Sequence, residues 1–132
     1  MIAIDANVLL RYVVRDDEEQ YQKASQFLTR RSADDTAYVS FIVLAETVWT
    51  LRRHYRYSKR QVEELVTELL QAVELSFEQE AYLSVLFSKN AELEGNIADY
   101  LVALSADRAG CSATYTFDRN AANTVLGMEL LA

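Results

Sequence analysis

At 132 residues, 51% apolar and 25% charged, the chain has the size and balance of one globular domain, which excludes disordered and collagen-like classes. Its single cysteine and single histidine exclude an internal disulfide, a cysteine-built zinc site and a histidine-rich metal site, and no apolar run reaches the ~18 residues of a membrane span. A net charge of −7 argues against a phosphate-rich partner, but divalent cations held by some of those carboxylates would invert the local field, so charge alone leaves nucleic acid open.

With no proline, three glycines and no Gly/Ser-rich stretch, the sequence has no linker and no repeat, and a single domain spanning residues 1–132 is expected. There is no basic segment followed by a hydrophobic leader, so a cytoplasmic location without a membrane partner is expected. Met1 to Asp5 reads as a short strand stopped by Asp-Ala-Asn, a helix start. Val8, Leu9, Tyr12 and Val13 then fall at helical spacing. After the charged break Arg15 to Glu19, Tyr21, Ala24, Phe27 and Leu28 mark a second amphipathic helix. Thr36 to Ser40 reads as a strand and Phe41 to Arg53 as a helix. Ser58 with Gln61 forms a capping box opening a helix that runs to about Ala72. Val73 to Phe77 is a short strand or a connector. Glu78 to Glu94 and Asn96 to Arg108 read as two helices separated at Gly95. Cys111 to Phe117 reads as a strand, Asp118 opens a helical turn, and Gly127 to Leu131 is a last strand. Strands alternating with helices imply an α/β fold with a mostly parallel sheet covered on both faces.

Four acidic residues occupy places that a solvated surface explains poorly. Asp5 and Asp118 each end a strand at the carboxyl edge of the expected sheet, where ligand crevices form; each would serve equally as a helix cap. Glu46 is the single charge between Phe41 and Leu51, beside Ile42, Val43, Trp49 and Thr50, and is expected on or next to a buried face. Asp99 has small neighbours, Val102, Ala103 and Ala106. A buried carboxylate needs an arginine, a donor network or a metal, and Arg11, Arg52 or Arg53 would supply the first of these. Taken together, two strand-end and two helical carboxylates with no histidine or cysteine form an oxygen-only set suited to Mg²⁺ or Mn²⁺. Two such cations about 4 Å apart serve phosphodiester hydrolysis by activating water and cancelling phosphate charge.

The segments Ile-Ala-Ile-Asp-Ala-Asn-Val-Leu-Leu-Arg-Tyr, Ser-Phe-Ile-Val-Leu-Ala-Glu, Asp-Tyr-Leu-Val-Ala-Leu-Ser-Ala and Thr-Phe-Asp-Arg, in this order, resemble the PIN-domain ribonucleases, in particular the VapC-type toxins of toxin–antitoxin pairs. The resemblance covers essentially the whole chain. It implies a three-layer α/β/α sandwich with a central parallel sheet and metal-dependent endonuclease activity on RNA. Matched residue by residue, Asp5, Glu46, Asp99 and Asp118 correspond to the family's acidic quartet, implying roles in metal binding and catalysis. Asn7 and Thr116 correspond to polar residues that orient those carboxylates; a helix-capping Asn and an ordinary strand Thr are the structural alternatives. The resemblance further implies a cognate antitoxin and a homodimer. Two features depart from the pattern. Asn96 stands where many relatives have a further acidic residue, and Arg119, Asn120, Ala121 and Ala122 stand where an aromatic often follows.

Arg52, Arg53, Arg56, Lys59 and Arg60, interleaved with His54, Tyr55 and Tyr57, read as a solvated helix end or, alternatively, an RNA groove. Arg11, Arg15 and Arg119 lie nearer in sequence to the acidic positions and are candidates for RNA phosphate contacts. The competing function is a catalytically silent PIN-like module that binds RNA or protein. A phosphoacceptor-aspartate domain has poor support, since no second Asp follows two residues after Asp5.

Overall fold

The computed structural model describes residues 1–88 and 93–131. The chain divides into two compact units, Met1–Asn90 and Ala91–Ala132.

In the first unit, β1 (Ile2–Ala3) leads into α1 (Ala6–Val13) and α2 (Glu18–Thr29), followed by β2 (Ala37–Val39), α3 (Phe41–Arg53), α4 (Lys59–Leu70), β3 (Leu75–Phe77) and α5 (Glu80–Leu86). The strands form a parallel sheet in the order β1-β2-β3, with Ile2 opposite Ala37, Ala37 opposite Leu75 and Val39 opposite Phe77. Parallel neighbours need crossover connections, and two helices fill each one. Ala37, Val39, Leu75 and Phe77 are buried, and the alternate residues Tyr38 and Ser76 are half-buried, as expected of strands with helices on both sides. Leu9, Leu28, Leu44, Leu51, Val62, Val66 and Leu83 are almost wholly buried and form the apolar stripes of their helices. Each such side chain contributes roughly 1.5–3 kcal/mol on burial.

The helix starts follow from local chemistry. Asp17 accepts a hydrogen bond from the backbone N–H of Gln20, and Ser40 accepts one from that of Val43. Ser58 and Gln61 form the full capping box that their spacing predicts. The helix expected over Glu78 to Glu94 is much shorter, ending at Leu86; the part of that expectation at 89–92 lies outside the described residues. Local polar groups account for both limits. Glu78 is drawn away to accept from the N–H of Phe41, Gln79 takes a left-handed conformation at φ 51°, and Ser88 closes the far end by donating to the carbonyl of Val85.

The second unit holds α6 (Ile97–Arg108), β4 (Thr114–Thr116), α7 (Arg119–Thr124) and β5 (Met128–Leu130). β4 and β5 pair in parallel, Thr114 opposite Met128 and Thr116 opposite Leu130, with α7 as their connection. Ala103, Ala121, Val125 and Met128 pack into one cluster, and Tyr100 lies against it. α6 stops at a Schellman motif: the N–H of Cys111 bonds the carbonyl of Ala106 at 3.0 Å and that of Gly110 bonds Asp107 at 3.0 Å. Gly110 reaches φ +92° there, which other residues rarely do. No described helix is long and apolar enough to cross a membrane.

Candidate metal centre

Asp5 directly follows the β1 region and is the N-cap of α1, its Oδ1 accepting from the N–H of Val8 at 3.0 Å. Asp118 repeats the arrangement after β4, its Oδ1 accepting from the N–H of Ala121 at 3.0 Å. The helix-cap alternative is therefore realised at both strand ends. In each case the bond engages one carboxylate oxygen, and both side chains are solvent-accessible. Thr116 does not touch the Asp118 carboxylate. Its hydroxyl instead accepts from the Asp118 backbone N–H at 3.0 Å, fixing the main chain where that carboxylate departs. Asn7 lies exposed in the first turn of α1.

Glu46 corrects an expectation. It lies on an exposed face of α3, and its neighbours Ile42 and Trp49 are 79% and 61% exposed. The helix buries Phe41, Leu44, Thr47, Val48 and Leu51, and the apolar residues beside Glu46 form a separate, outward stripe. The apolar neighbours Ile42 and Trp49, which in the sequence imply a buried face, are themselves turned outward. Among the described residues Glu46 has no ion pair, so Arg11, Arg52 and Arg53 do not neutralise it.

Asp99 sits in the first turn of α6 and is half-buried. Burial pushes its carboxyl up from the ordinary range, the charge of Asp118 adds to the rise, and a hydrogen bond from the Asn96 side chain pulls the other way. Two acidic groups of the second unit thus repel each other, and no described cation is ion-paired with either. Asn96 is the N-cap of α6 but makes no capping bond with its side chain. Its link to Asp99 is a contact that sequence reasoning missed. The available signal was an Asn three residues ahead of an Asp at a helix start.

The phosphate candidates differ in what they already hold. Arg11 bonds Asp16 at 3.1 Å and the Tyr55 hydroxyl at 3.3 Å, while Tyr55 in turn donates to Asp16 at 2.7 Å. Arg15 grips Glu18 through two bonds of 2.8 and 2.7 Å and lies over the Tyr21 ring. Arg119 opens α7, exposed and without an ion pair among the described residues.

Among the described residues, no group of three or more His, Cys, Asp or Glu is arranged to hold a metal ion. The donor chemistry nonetheless suits a hard divalent cation: oxygen donors only, with a mutually repelling Asp99 and Asp118 that a cation would neutralise. The sequence profile of the PIN domain matches residues 2–125. No curated protein matches the chain.

Proposed function

The chain belongs to the PIN-domain family, whose members are generally nucleases, and from that premise we propose that it is an Mg²⁺- or Mn²⁺-dependent endoribonuclease, the VapC-type toxin of a toxin–antitoxin pair. What supports this reading is the PIN-domain match over residues 2–125, together with Asp99 and Asp118 standing close enough for the charge of one to act on the other while no described cation is ion-paired with either, a pairing that a bound cation would turn to advantage. In this reading Asp5, Glu46, Asp99 and Asp118 hold the cation within a single PIN-like domain, residues 1–132. When bound, a divalent cation supplies an acidified water and cancels charge on the attacked phosphodiester. The chain's own groups do the rest. Asn7 and Thr116 assist in aligning the acidic residues, Thr116 through the Asp118 backbone. Arg119 guides the RNA phosphate, and Arg11 and Arg15 join it only by exchanging their present carboxylate partners. The proposed setting is cytoplasmic, with a homodimer and a cognate antitoxin as partners.

Cleavage of RNA by the purified protein, free of antitoxin, tests this directly. Asp5→Asn and Asp99→Asn should each abolish cutting that depends on Mg²⁺ or Mn²⁺; undiminished cutting in both variants rejects the assignment.

A second reading has its own support. Both strand-end aspartates are already employed as caps, as a catalytically silent PIN-like binding module would have them. Calorimetric titration separates the two, since a silent module shows no Mn²⁺ binding that Glu46→Gln removes.

A further inference from the structure

α3 carries two apolar stripes, and only one of them is covered. Phe41, Leu44, Val48 and Leu51 face the core, whereas Ile42 and Trp49 stand 79% and 61% exposed. An aromatic side chain that size forfeits much of its hydrophobic stabilisation in water, so its exposure calls for an occupant. Trp49 follows Glu46 by three residues, which places the indole and the carboxylate side by side on the helix surface. Arg53 follows Trp49 by four, with its guanidinium carbon 5.9 Å from the ring centroid, within cation–π range.

The charges around this stripe narrow the choice of occupant. On the neighbouring helix α4, Lys59 is paired with Glu63 and Arg60 with Glu64. Arg11 and Arg15 are likewise tied to Asp16 and Glu18. Arg52, Arg53 and Arg56, all exposed at the end of α3 and just beyond it, form no ion pair among the described residues. In a chain of net charge −7, cations left unpaired beside an exposed tryptophan complement a phosphate backbone. An apolar protein surface seated here would desolvate Glu46 and Arg53 without compensation. Single-stranded RNA offers an aromatic face to Trp49 and phosphates to the arginines.

We propose that Trp49 is a stacking platform for one unpaired base of an RNA strand, with Arg53 and Arg52 on the adjoining phosphates, beside the Glu46 carboxylate. This subsite rests on the ribonuclease reading for its substrate and adds to it the place where a base is gripped. It makes Trp49 and Arg53 binding residues, leaving the chemistry to the acidic residues.

Trp49 is the sole tryptophan, so indole emission excited beyond the absorption of the eight tyrosines reports on this one position. The full-length Asp99→Asn protein, chosen to prevent cutting, is titrated with a short single-stranded RNA oligonucleotide, with the same oligonucleotide made abasic, and with inorganic polyphosphate. Quenching by the first and by neither of the others is expected. Labelled-RNA anisotropy should show affinity about 5- to 150-fold weaker in Trp49→Ala, with Trp49→Phe recovering most of it. Arg53→Ala should flatten the slope of log affinity against log salt by about 0.7.

Unchanged affinity in Trp49→Ala overturns the platform. So does indole emission that shifts with protein concentration alone, the sign that a second copy covers the stripe. The two readings fail separately: RNA cleaved by the wild type but bound equally well by Trp49→Ala sinks the platform alone. Base-dependent quenching with no metal-dependent cleavage in the wild type sinks the nuclease and leaves the platform standing.

Discussion

Asp5 holds two roles that a pair of substitutions should separate. Its Oδ1 caps α1 through the N–H of Val8 at 3.0 Å, and its charge is the contribution that the proposed cation would use. Asparagine caps a helix about as well as aspartate, so Asp5→Asn keeps the hydrogen bond and removes only the charge and its favourable interaction with the helix dipole, about 0.3–1 kcal/mol at most. Asp5→Ala removes both, at about 1 kcal/mol for the cap alone. For 132 residues, an unfolding entropy of about 2.1 cal/mol/K per residue converts 1 kcal/mol into roughly 4 °C of melting temperature. Metal-free thermal melts should therefore order the proteins as wild type, then Asp5→Asn slightly below, then Asp5→Ala several degrees lower. RNA cleavage should order them differently. Loss of a ligand should exceed the 10- to 100-fold cost typical of an outer-shell partner, so both variants should fall more than about 100-fold. If only Asp5→Ala melts low while Asp5→Asn and Asp5→Ala both cut RNA at the wild-type rate, the carboxylate is a cap and nothing more.

Other consequences are independent of that pair. A cation that binds only the folded chain, at a hundred times its Kd, adds about 2.7 kcal/mol, or roughly 10 °C; Mn²⁺ should raise the wild-type melting temperature on this scale and fail to raise that of Asp99→Asn, and a flat wild-type response refutes the metal centre. Glu18 is held down to about 2 by hydrogen bonds from Arg15 first and Gln22 second. Because the folded value lies below the ordinary 4.5, the pairing supports the fold above that value and is lost as pH falls toward about 2. Glu18→Gln should accordingly lose less stability over this window, and an NMR titration placing the wild-type Glu18 midpoint at its ordinary value refutes the pairing. Gly110 has open space around it and φ +92°, so Gly110→Ala should cost about 1–2 kcal/mol through backbone strain alone. Gly95→Ala should cost more, because a Cβ there would meet Thr124 Oγ1 at 2.9 Å in addition to φ +80°; chemical denaturation showing equal losses counts against this packing account.

The legible parts of the sequence were those where one local signal decides the outcome. Phe41–Arg53 reads as a helix from its length and apolar content, and Ser58 with Gln61 announces α4 through a bond pattern that needs no tertiary partner. The acidic ends of β1 and β4 were legible because the strand and the following cap are contiguous in sequence. Facing was harder to read. Ile42 and Trp49 are as apolar as Leu44 and Leu51, and composition cannot tell a covered stripe from an open one on the same helix. The overlong expectation for α5 has a similar origin: Glu78, Gln79 and Ser88 are all permitted in helices, and what ends the helix is where their side chains find partners. The Asn96 link to Asp99 is hidden for a third reason, since an Asn in place of an acidic residue reads as a missing ligand although its amide is also a donor.

Three of the four carboxylates in the proposed quartet stand at helix N-termini: Asp5 and Asp118 as caps, and Asp99 in the first turn of α6. In the proposed site this placement would ease the gathering of like charges. Each N-terminus carries partial positive charge and favours an anion by about 0.3–1 kcal/mol, enough to help keep a crowded carboxylate ionised without supplying a full counterion that would shut out a metal. Capping also fixes the rotamer in advance, so about 0.5–1.5 kcal/mol of ordering per side chain need not be lost again on binding. The same positive ends oppose a cation that approaches too closely, and a site made of capped aspartates alone would therefore bind weakly. Glu46 differs in lying mid-helix on α3, beyond the first turn of its own helix and without an ion pair among the described residues. In the proposed site it would bring a whole negative charge that its own helix dipole does not offset, so Glu46→Gln should cost more of any Mn²⁺ affinity than the loss of a capped aspartate, with calorimetric titration as the check.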